Sequence, residues 1–229
     1  MTSTEDLREW SFAVGDAPMG FRVHGATCWV MNRTLLPYLR VTVRGRHRLD
    51  IPGPLLIAPV HRSNLDSLIV GSLSGRRMRA MAKESLFKVK PLAWYISAVG
   101  AFPLTRGTAD REAMKAALLV LERGDPLLVF PEGTRQSGTE VAELFDGTMW
   151  LANKGAAPVV PIGIAGTEEA MPPGARFPRR SHVAVVVGEP LTPPEGRVSR
   201  RELSELTAEL RARMQQANNQ ARRDSQEAA

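Results

Sequence analysis

The chain has 229 residues, which is enough for one domain with a buried core and short terminal appendages. Thirty Lys and Arg against 24 Asp and Glu give a formal net charge of +6, which suits an anionic partner such as nucleic acid or an anionic membrane. The single cysteine excludes an intrachain disulfide, and no run of 18 or more apolar residues predicts a membrane-spanning helix.

The first 50 residues divide into two segments with different expected roles. Residues 1–22 combine mixed charge with Gly15, Pro18 and Gly20 and predict a loosely attached leader, without the features of a secretory signal peptide. Residues 23–50 interleave apolar and aromatic side chains with arginines, which is typical of a helix that lies on a membrane surface. Packing of that face on the domain is the alternative, as is a solvated charged strand for its arginines. These arginines are Arg40, Arg44, Arg46 and Arg48.

Residues 51–198 are predicted to form the main domain, an α/β fold in which helices flank a single, largely parallel central sheet. Short apolar runs rich in branched residues predict its strands. They are 55–60, 78–82, 127–130, 159–164 and 183–187. The apolar spacing in 110–123 predicts a helix that ends at Gly124, and strands that alternate with helices favour parallel pairing. Residues 199–229 predict a polar C-terminal helix that trails into a solvated tail.

One imidazole and one carboxylate, His61 and Asp66, lie five positions apart directly after the first apolar run of the domain. In a regular helix this spacing places two side chains about 140° apart, so they would not share a face. A bend between the strand and a helix that starts near Ser63 can return the carboxylate to the ring. The pair would then form a dyad at the carboxyl end of a strand, where open α/β sheets place their ligands. Alternatively, Ser63 and Asp66 form a capping box.

Three further sequence blocks follow this pair. They are GAFPLTR at 100–106, FPEGTR at 130–135 and VVPI at 159–162. Together with His61 and Asp66 they resemble the glycerolipid acyltransferase family that includes the 1-acylglycerol-3-phosphate acyltransferases, whose first motif is His-x4-Asp and whose third is Pro-Glu-Gly-Thr-Arg. The resemblance covers residues 55–188. Two positions differ from many members, because Val60 replaces an asparagine and Asp146 replaces a lysine.

The resemblance implies transfer of a fatty acyl group from acyl-CoA or acyl carrier protein to the free hydroxyl of a lysophosphatidate-type acceptor, with no cofactor and no metal. His61 would be the general base, and Asp66 would fix its tautomer and stabilise the imidazolium. Arg106 and Arg135 occupy the positions that the family associates with phosphate binding. Glu132 is expected to orient an arginine or a glycerol hydroxyl. The substrate-binding set is completed by Gly133 and Thr134 of the same block.

The implied protein is a peripheral enzyme of phospholipid biosynthesis on the cytoplasmic face of the cell membrane. Its expected partners are the acyl donor, a phosphorylated glycerol acceptor and an anionic membrane surface, without nucleic acid. The alternatives are acylation of glycerol 3-phosphate or another (glyco)lysophospholipid, a noncatalytic basic lipid-binding protein, and a serine hydrolase, although the chain lacks a Gly-x-Ser-x-Gly elbow. Two arginine clusters have no motif to explain them. They are Arg76, Arg77 and Arg79, and Arg176, Arg179 and Arg180.

Overall fold

The centre of the fold is a seven-stranded sheet. The structure is a computed structural model, and it describes residues 3–104 and 111–228. Its strands are β1 Thr42–Arg44, β2 Leu55–Pro59, β3 Arg79–Lys83, β4 Ala101–Leu104, β5 Pro126–Leu128, β6 Val159–Ala165 and β7 Ala184–Val187. The order across the sheet is β1-β7-β6-β2-β5-β3-β4. The five strands from β6 to β4 are parallel, whereas β7 is antiparallel to β6 and β1 runs with β7. The predicted α/β domain with a largely parallel sheet is confirmed.

Helices connect and flank these strands, because a parallel pair needs a crossover connection rather than a tight turn. They are α1 Thr4–Asp16, α2 Pro18–Arg33, α3 Leu35–Tyr38, α4 Leu65–Leu73, α5 Lys90–Ala98, α6 Arg111–Glu122, α7 Gly147–Lys154, α8 Thr167–Ala170 and α9 Arg200–Glu227. Two 3₁₀ helices cover Arg46–Asp50 and Glu84–Lys88. The helix predicted over 110–123 is α6, and Gly124 follows it with a φ of +77°.

The strands at the middle of the sheet are buried along their whole length, which explains why apolar runs predict them. Every residue of β2 and of β6 is buried. All five predicted runs overlap a strand, but β5 ends at Leu128, so the last residues of its run belong to the following loop. The short strands β1 and β4 were not predicted from an apolar run. β4 lies at one edge of the sheet, and this position tolerates its Pro103.

The prediction of a loosely attached leader is wrong, because residues 4–16 form a helix that packs on the domain. Ser3 and Asp6 form a capping box at its start, and Pro18 occupies the first turn of α2, where its missing N–H costs nothing. α1 packs against α5 and β4. Its buried residues are Arg8, Ser11 and Gly15. These side chains are polar or small, so the apolar pattern did not reveal the contact.

The C-terminal helix is confirmed, but the solvated tail predicted beyond it is wrong. α9 begins with a capping box formed by Ser199 and Glu202 and packs along β6 and β7. An added Cβ at Gly163 of β6 would collide with the backbone of Ala217 and Asn218, so the helix lies directly on the strand. Apart from Leu210 and Met214, the buried face consists of small and polar residues, which conceals it in the sequence. Its members are Thr207, Leu210, Met214, Ala217, Asn218, Ala221 and Asp224.

The arginines of the segment 23–50 are used largely within the chain. Arg44 pairs with Asp224, and Arg48 pairs with Glu189. Arg46 donates to a main-chain oxygen at 2.7 Å. A surface that binds headgroups would be expected to present four free guanidinium groups. This segment does not, because three of its arginines have partners within the chain.

α2 has one face on the domain, as the packing interpretation of this segment expects, and one face in solvent. It packs against α4 and α5, where Thr27 Oγ1 lies 3.2 Å from Tyr95 Oη. Its other side exposes large apolar side chains, including Trp29 at 64%. Within the described residues, every helix is too short or too polar to cross a bilayer. Membrane contact by α2 stays a prediction.

Candidate active site

Three neighbouring parallel strands deliver the polar residues of the candidate site to one edge of the sheet. β2 lies between β6 and β5 in the strand order. His61 follows β2, Glu132 follows β5 and Thr167 follows β6. Because parallel strands place their carboxyl ends at the same edge, residues far apart in the chain meet there. This edge is called the carboxyl edge below.

The predicted dyad is formed, since His61 Nδ1 lies 3.0 Å from Asp66 Oδ2. His61 is 7% exposed and Asp66 is completely buried. The bend that joins β2 to α4 brings the carboxylate back to the ring. An ionised carboxylate only accepts hydrogen bonds, so Nδ1 carries the proton and Nε2 keeps its lone pair. The pair therefore leaves one ring nitrogen able to take a proton from a bound hydroxyl.

Asp66 is held by three further donors besides the ring. The backbone N–H groups of Arg62 and Ser63 donate to its Oδ2 at 2.6 and 2.7 Å. Thr167 Oγ1 donates to its Oδ1 at 2.7 Å. Half of the alternative capping box is thus present, but Ser63 Oγ accepts from Leu65 N at 3.4 Å rather than from Asp66 N, and it donates to the carbonyl of Met171 at 3.0 Å. Four donors therefore fix the position of this buried carboxylate.

Glu132 lies beneath the dyad and supports its main chain. It is buried, and its Oε2 accepts the backbone N–H of His61 at 2.8 Å. Arg62 Nη1 lies 3.0 Å from both carboxylate oxygens and also 3.0 Å from the carbonyl of His61. Of the two roles predicted for Glu132, this geometry supports orientation of an arginine rather than of a glycerol hydroxyl.

The phenyl ring of Phe130 stacks on the imidazole, with centroids 3.9 Å apart and planes 23° apart. The main chain that follows curves around the same residue, because Gln136 N donates to His61 O at 2.8 Å. The ring is therefore fixed by a hydrogen bond at one edge and by an apolar contact on one face. A ring held in this way needs no rotation before it can accept a proton.

The remaining predicted residues of this loop lie near its surface. Gly133 has a φ of +70°, and an added Cβ would lie 2.6 Å from the ring of Phe145. Thr134 Oγ1 accepts from a neighbouring glutamine at 3.2 Å. Arg135 is exposed and forms no ion pair with any residue in 3–104 or 111–228. Arg106 lies outside the described residues, so its predicted phosphate contact stays a prediction.

Three contributors to this site were missed by sequence reasoning. Arg62 lies inside the His-x4-Asp block but carried no assigned role, and Phe130 was quoted only as part of a motif. Thr167 follows the buried run of β6 directly. A polar residue one or two positions after a buried parallel strand is a usable signal, because it must reach the same edge as the dyad.

The two departures from the family pattern have different structural settings. Beside Val60, the backbone N–H of His61 is held by the carboxylate of Glu132. Asp146 Oδ2 accepts from Ser204 Oγ of α9 at 3.3 Å, so this position ties a loop to the C-terminal helix. In the described part of the chain, no group of three or more His, Cys, Asp or Glu side chains is arranged to hold a metal ion.

The sequence of this chain, compared with known proteins, matches one family. The chain belongs to the acyltransferase family, and the match covers residues 40–165. The 1-acyl-sn-glycerol-3-phosphate acyltransferase of Bacillus subtilis is 26% identical over 182 residues, which are 78% of this chain and 88% of that protein. A chloroplastic 1-acyl-sn-glycerol-3-phosphate acyltransferase of Arabidopsis thaliana is 26% identical over 162 residues.

The share of the relative that is matched differs between these two proteins. The match to the Arabidopsis protein covers 69% of this chain but 45% of the relative, so the chain spans about half the length of the plant relatives. A solved structure, the 1-acyl-sn-glycerophosphate acyltransferase PlsC of Thermotoga maritima, superposes with a TM-score of 0.68. It is 24% identical, and the superposition covers 94% of this chain and 83% of that one. This likeness concerns the fold alone.

Proposed function

We propose that this protein transfers a fatty acyl group from a thioester donor, acyl-CoA or acyl carrier protein, to the free hydroxyl of a lysophosphatidate-type acceptor. The observation that carries the proposal is the His61–Asp66 dyad, in which the free ring nitrogen is Nε2. The names of the bacterial and plant relatives support the same reaction. The proposed pathway is phospholipid biosynthesis.

His61 acts as the general base in this proposal. Its Nε2 takes the proton of the acceptor hydroxyl while the oxygen attacks the thioester carbonyl, which forms a tetrahedral intermediate. Collapse of the intermediate breaks the carbon–sulfur bond, and the thiolate leaves with the proton that the imidazolium returns. Asp66 stabilises the imidazolium between these steps. A positioned base of this kind contributes roughly 10² to 10⁴ in rate.

The acceptor phosphate binds to arginine in this proposal, because a guanidinium group offers permanent charge and paired donors. Arg135 supports this role, since it is exposed near the dyad loop and has no carboxylate partner among the described residues. Thr134 and Gly133 belong to the same turn, where the absence of a side chain at Gly133 leaves room for Phe145. Arg106 is assigned to the same phosphate from its motif position.

In this proposal the protein works at an anionic membrane surface, because both acyl chains of the product favour a bilayer. The proposed side of the membrane is the cytoplasmic face. Exposed Trp29 and Val30 on the outer side of α2 support that contact. No cofactor is needed, because neither proton transfer nor thioester cleavage requires one. Nucleic acid is not among the proposed partners.

The experiment is an acyl-transfer assay of the purified chain with acyl-CoA and acyl carrier protein donors and several acceptors. The acceptors are lysophosphatidate, glycerol 3-phosphate and other lysophospholipids, so that the panel also tests the alternative acceptors. His61→Ala should lower the rate by about 10³-fold. His47→Ala is the matched control, because His47 is exposed on a 3₁₀ helix outside the dyad.

Two outcomes would contradict this function. Full activity of His61→Ala would exclude the imidazole as the base. Lack of transfer by the parent chain with every donor and acceptor, together with binding of lipid, would favour a noncatalytic lipid-binding protein instead.

A further inference from the structure

A loop of residues 171–181, here called the rim loop, connects α8 to the segment before β7 and starts beside the dyad. The carbonyl of Met171 accepts from Ser63 Oγ at 3.0 Å. Arg179 N donates to Ala170 O at 2.7 Å, so the two ends of the loop meet. The rim loop is therefore a compact loop whose two ends lie close together at the carboxyl edge.

The far side of the rim loop rests on the end of the N-terminal helices. Tyr38 Oη donates to the carbonyl of Pro178 at 3.4 Å. Val183 N, just after the loop, donates to Leu39 O at 3.1 Å. The rim loop therefore contacts the residue after His61 and Arg62 at one end and the end of α3 on its far side, and α3 follows α2 after one residue.

The side chains of the rim loop combine one aromatic ring with three cations. Phe177 is 81% exposed, more than any other large apolar side chain among the described residues. Arg176, Arg179 and Arg180 are exposed beside it, and none forms an ion pair within 3–104 and 111–228. An exposed aromatic ring between free arginines is costly in water but favourable at the boundary between headgroups and acyl chains.

The backbone of the rim loop restricts the motion of this ring. Pro172 and Pro173 have fixed φ values, and Gly174 takes a φ of +85°. Ala175 N donates to Pro172 O at 3.0 Å, which closes a turn. A restricted loop loses little conformational entropy when it binds, so the exposed ring is suited to insertion.

We propose that the rim loop is a membrane contact separate from α2, which inserts Phe177 at the headgroup boundary of an anionic bilayer. Arg176 and Arg180 bind acidic headgroups beside it. A bilayer is favoured over an acidic protein because the exposed apolar surface continues onto α3 through Tyr38, which is 45% exposed and touches the loop. The contact holds the carboxyl edge against the surface that supplies the acceptor, and only this last purpose rests on the proposed function.

The expected losses follow from the two kinds of side chain. Each arginine near an anionic surface strengthens binding by about fivefold, so Arg176→Ser with Arg180→Ser should weaken it by about 25-fold. Phe177→Ser should weaken binding by about tenfold, whereas Phe177→Leu should keep most of it. Pure phosphatidylcholine vesicles should lose the arginine effect but keep the effect of Phe177.

The experiment measures partition of the full chain onto phosphatidylcholine vesicles with about one-third phosphatidylglycerol, by flotation. Lys154→Ser with Arg197→Ser removes the same charge at the opposite edge of the sheet. Lys154 ends α7 just before β6, and Gly196, next to Arg197, accepts from Asn153 of the same helix. Leu119→Ser is the matched control for the ring, because Leu119 is exposed on α6. Thermal melting verifies that each variant folds.

Loss of partition in the rim-loop variants but not in the controls supports the contact, and so does unchanged acyl transfer to a short-chain, monomeric acceptor. Partition equal to that of the parent in folded rim-loop variants would overturn it. So would a defect that appears only with acyl carrier protein as donor, which would assign the arginines to that acidic protein. Partition needs no turnover. If the parent transfers no acyl group but binds vesicles, and the rim-loop variants bind them less, the proposed function is refuted and the membrane contact is not.

Discussion

Asp66 and Asp16 are both surrounded by hydrogen-bond donors, but they lie at opposite edges of the sheet and have different structural roles. Asp66 is fully buried and is held by the imidazole, two backbone N–H groups and one hydroxyl. Asp16, at the end of α1, is 45% exposed at its side chain and pairs with three arginines. They are Arg77, Arg79 and Arg123. A buried carboxylate with fixed donors positions one ring, whereas a half-exposed carboxylate shared by three arginines joins segments.

The Asp16 cluster explains why the N-terminal helices are docked. Arg79, at the start of β3, is fully buried and lies over the ring of Phe12, 5.3 Å from its centroid. Burial lowers the pKa of Arg79, and the nearby charge of Arg77 lowers it further. Asp16 opposes this effect. The junction of α1 and α2 therefore supplies the counter-charge for a buried cation of the sheet.

Of the changes at the two carboxylates, Asp66→Asn should have the larger effect on rate, and it tests whether the buried carboxylate positions the base. The amide carries no charge, and its one NH₂ group faces either the donors at the Oδ2 position or Thr167 Oγ1, so the ring loses the carboxylate that orients it and stabilises its charged form. We expect acyl transfer to fall by about 10²-fold or more, together with a lower melting temperature. The measurement is kcat on a monomeric acceptor. A folded Asp66→Asn protein with the rate of the parent would remove the distinction between the two carboxylates.

Arg62→Met should have the largest effect on stability, because it leaves the Glu132 carboxylate buried without its cation. The expected loss is about 3 to 5 kcal/mol in urea unfolding. Arg135→Met is the control and should stay within about 0.5 kcal/mol, since Arg135 is exposed. The double variant Arg62→Met with Glu132→Leu should recover part of the loss. No recovery would mean that the cost arises from packing and not from the unpaired charge.

Asp16→Asn should lower stability by about 1 to 2 kcal/mol, less than a buried pair because water screens this carboxylate. The rate per folded molecule should stay that of the parent, in contrast to Asp66→Asn. Urea unfolding and kcat on a monomeric acceptor measure the two quantities. Glu5→Gln, also on α1 but with no described arginine partner, is the control. A rate loss in Asp16→Asn would show that both edges act on the chemistry.

His24 should give the smallest effect, a dependence of stability on pH. Burial lowers its pKa from the ordinary value of 6.5, and the charges of Arg77 and Arg79 lower it further. The unfolded chain therefore takes up this proton at a higher pH than the folded chain does. Stability from this group is complete above pH 6.5 and falls as the pH drops through that value. Unfolding midpoints across this range should vary less in His24→Gln, and an equal slope would exclude the residue.

The fold and the dyad could be predicted because their signals are local. β2 and β6 are buried on both faces, so their apolar runs are continuous. The spacing of His61 and Asp66 is a property of one short segment. The supporting contacts of Thr167 and Arg62 depend instead on which strands become neighbours, and the sequence alone does not specify that order.

The errors share a physical cause, because they concern surfaces that bury small or polar side chains. α1 buries Ser11 and Gly15, and beyond Met214 the helix α9 buries only alanine, asparagine and aspartate side chains, so neither stretch shows a stripe of large apolar residues. Hydrogen bonds to distant segments hold them. Asn218 Nδ2, for example, donates to Thr139 O at 2.9 Å. Such contacts have no pattern until the partner segment is in place.

The seat of α9 on Gly163 has a consequence for how the chain is made. β6 is synthesised well before α9, so on the ribosome its face stays uncovered while translation continues through the last helix. β6 is also the neighbour of β2, which precedes His61. The strand beside β2 is therefore covered late, and its apolar face is exposed until α9 has been synthesised. Chaperones would act at this stage, when the uncovered strand could aggregate.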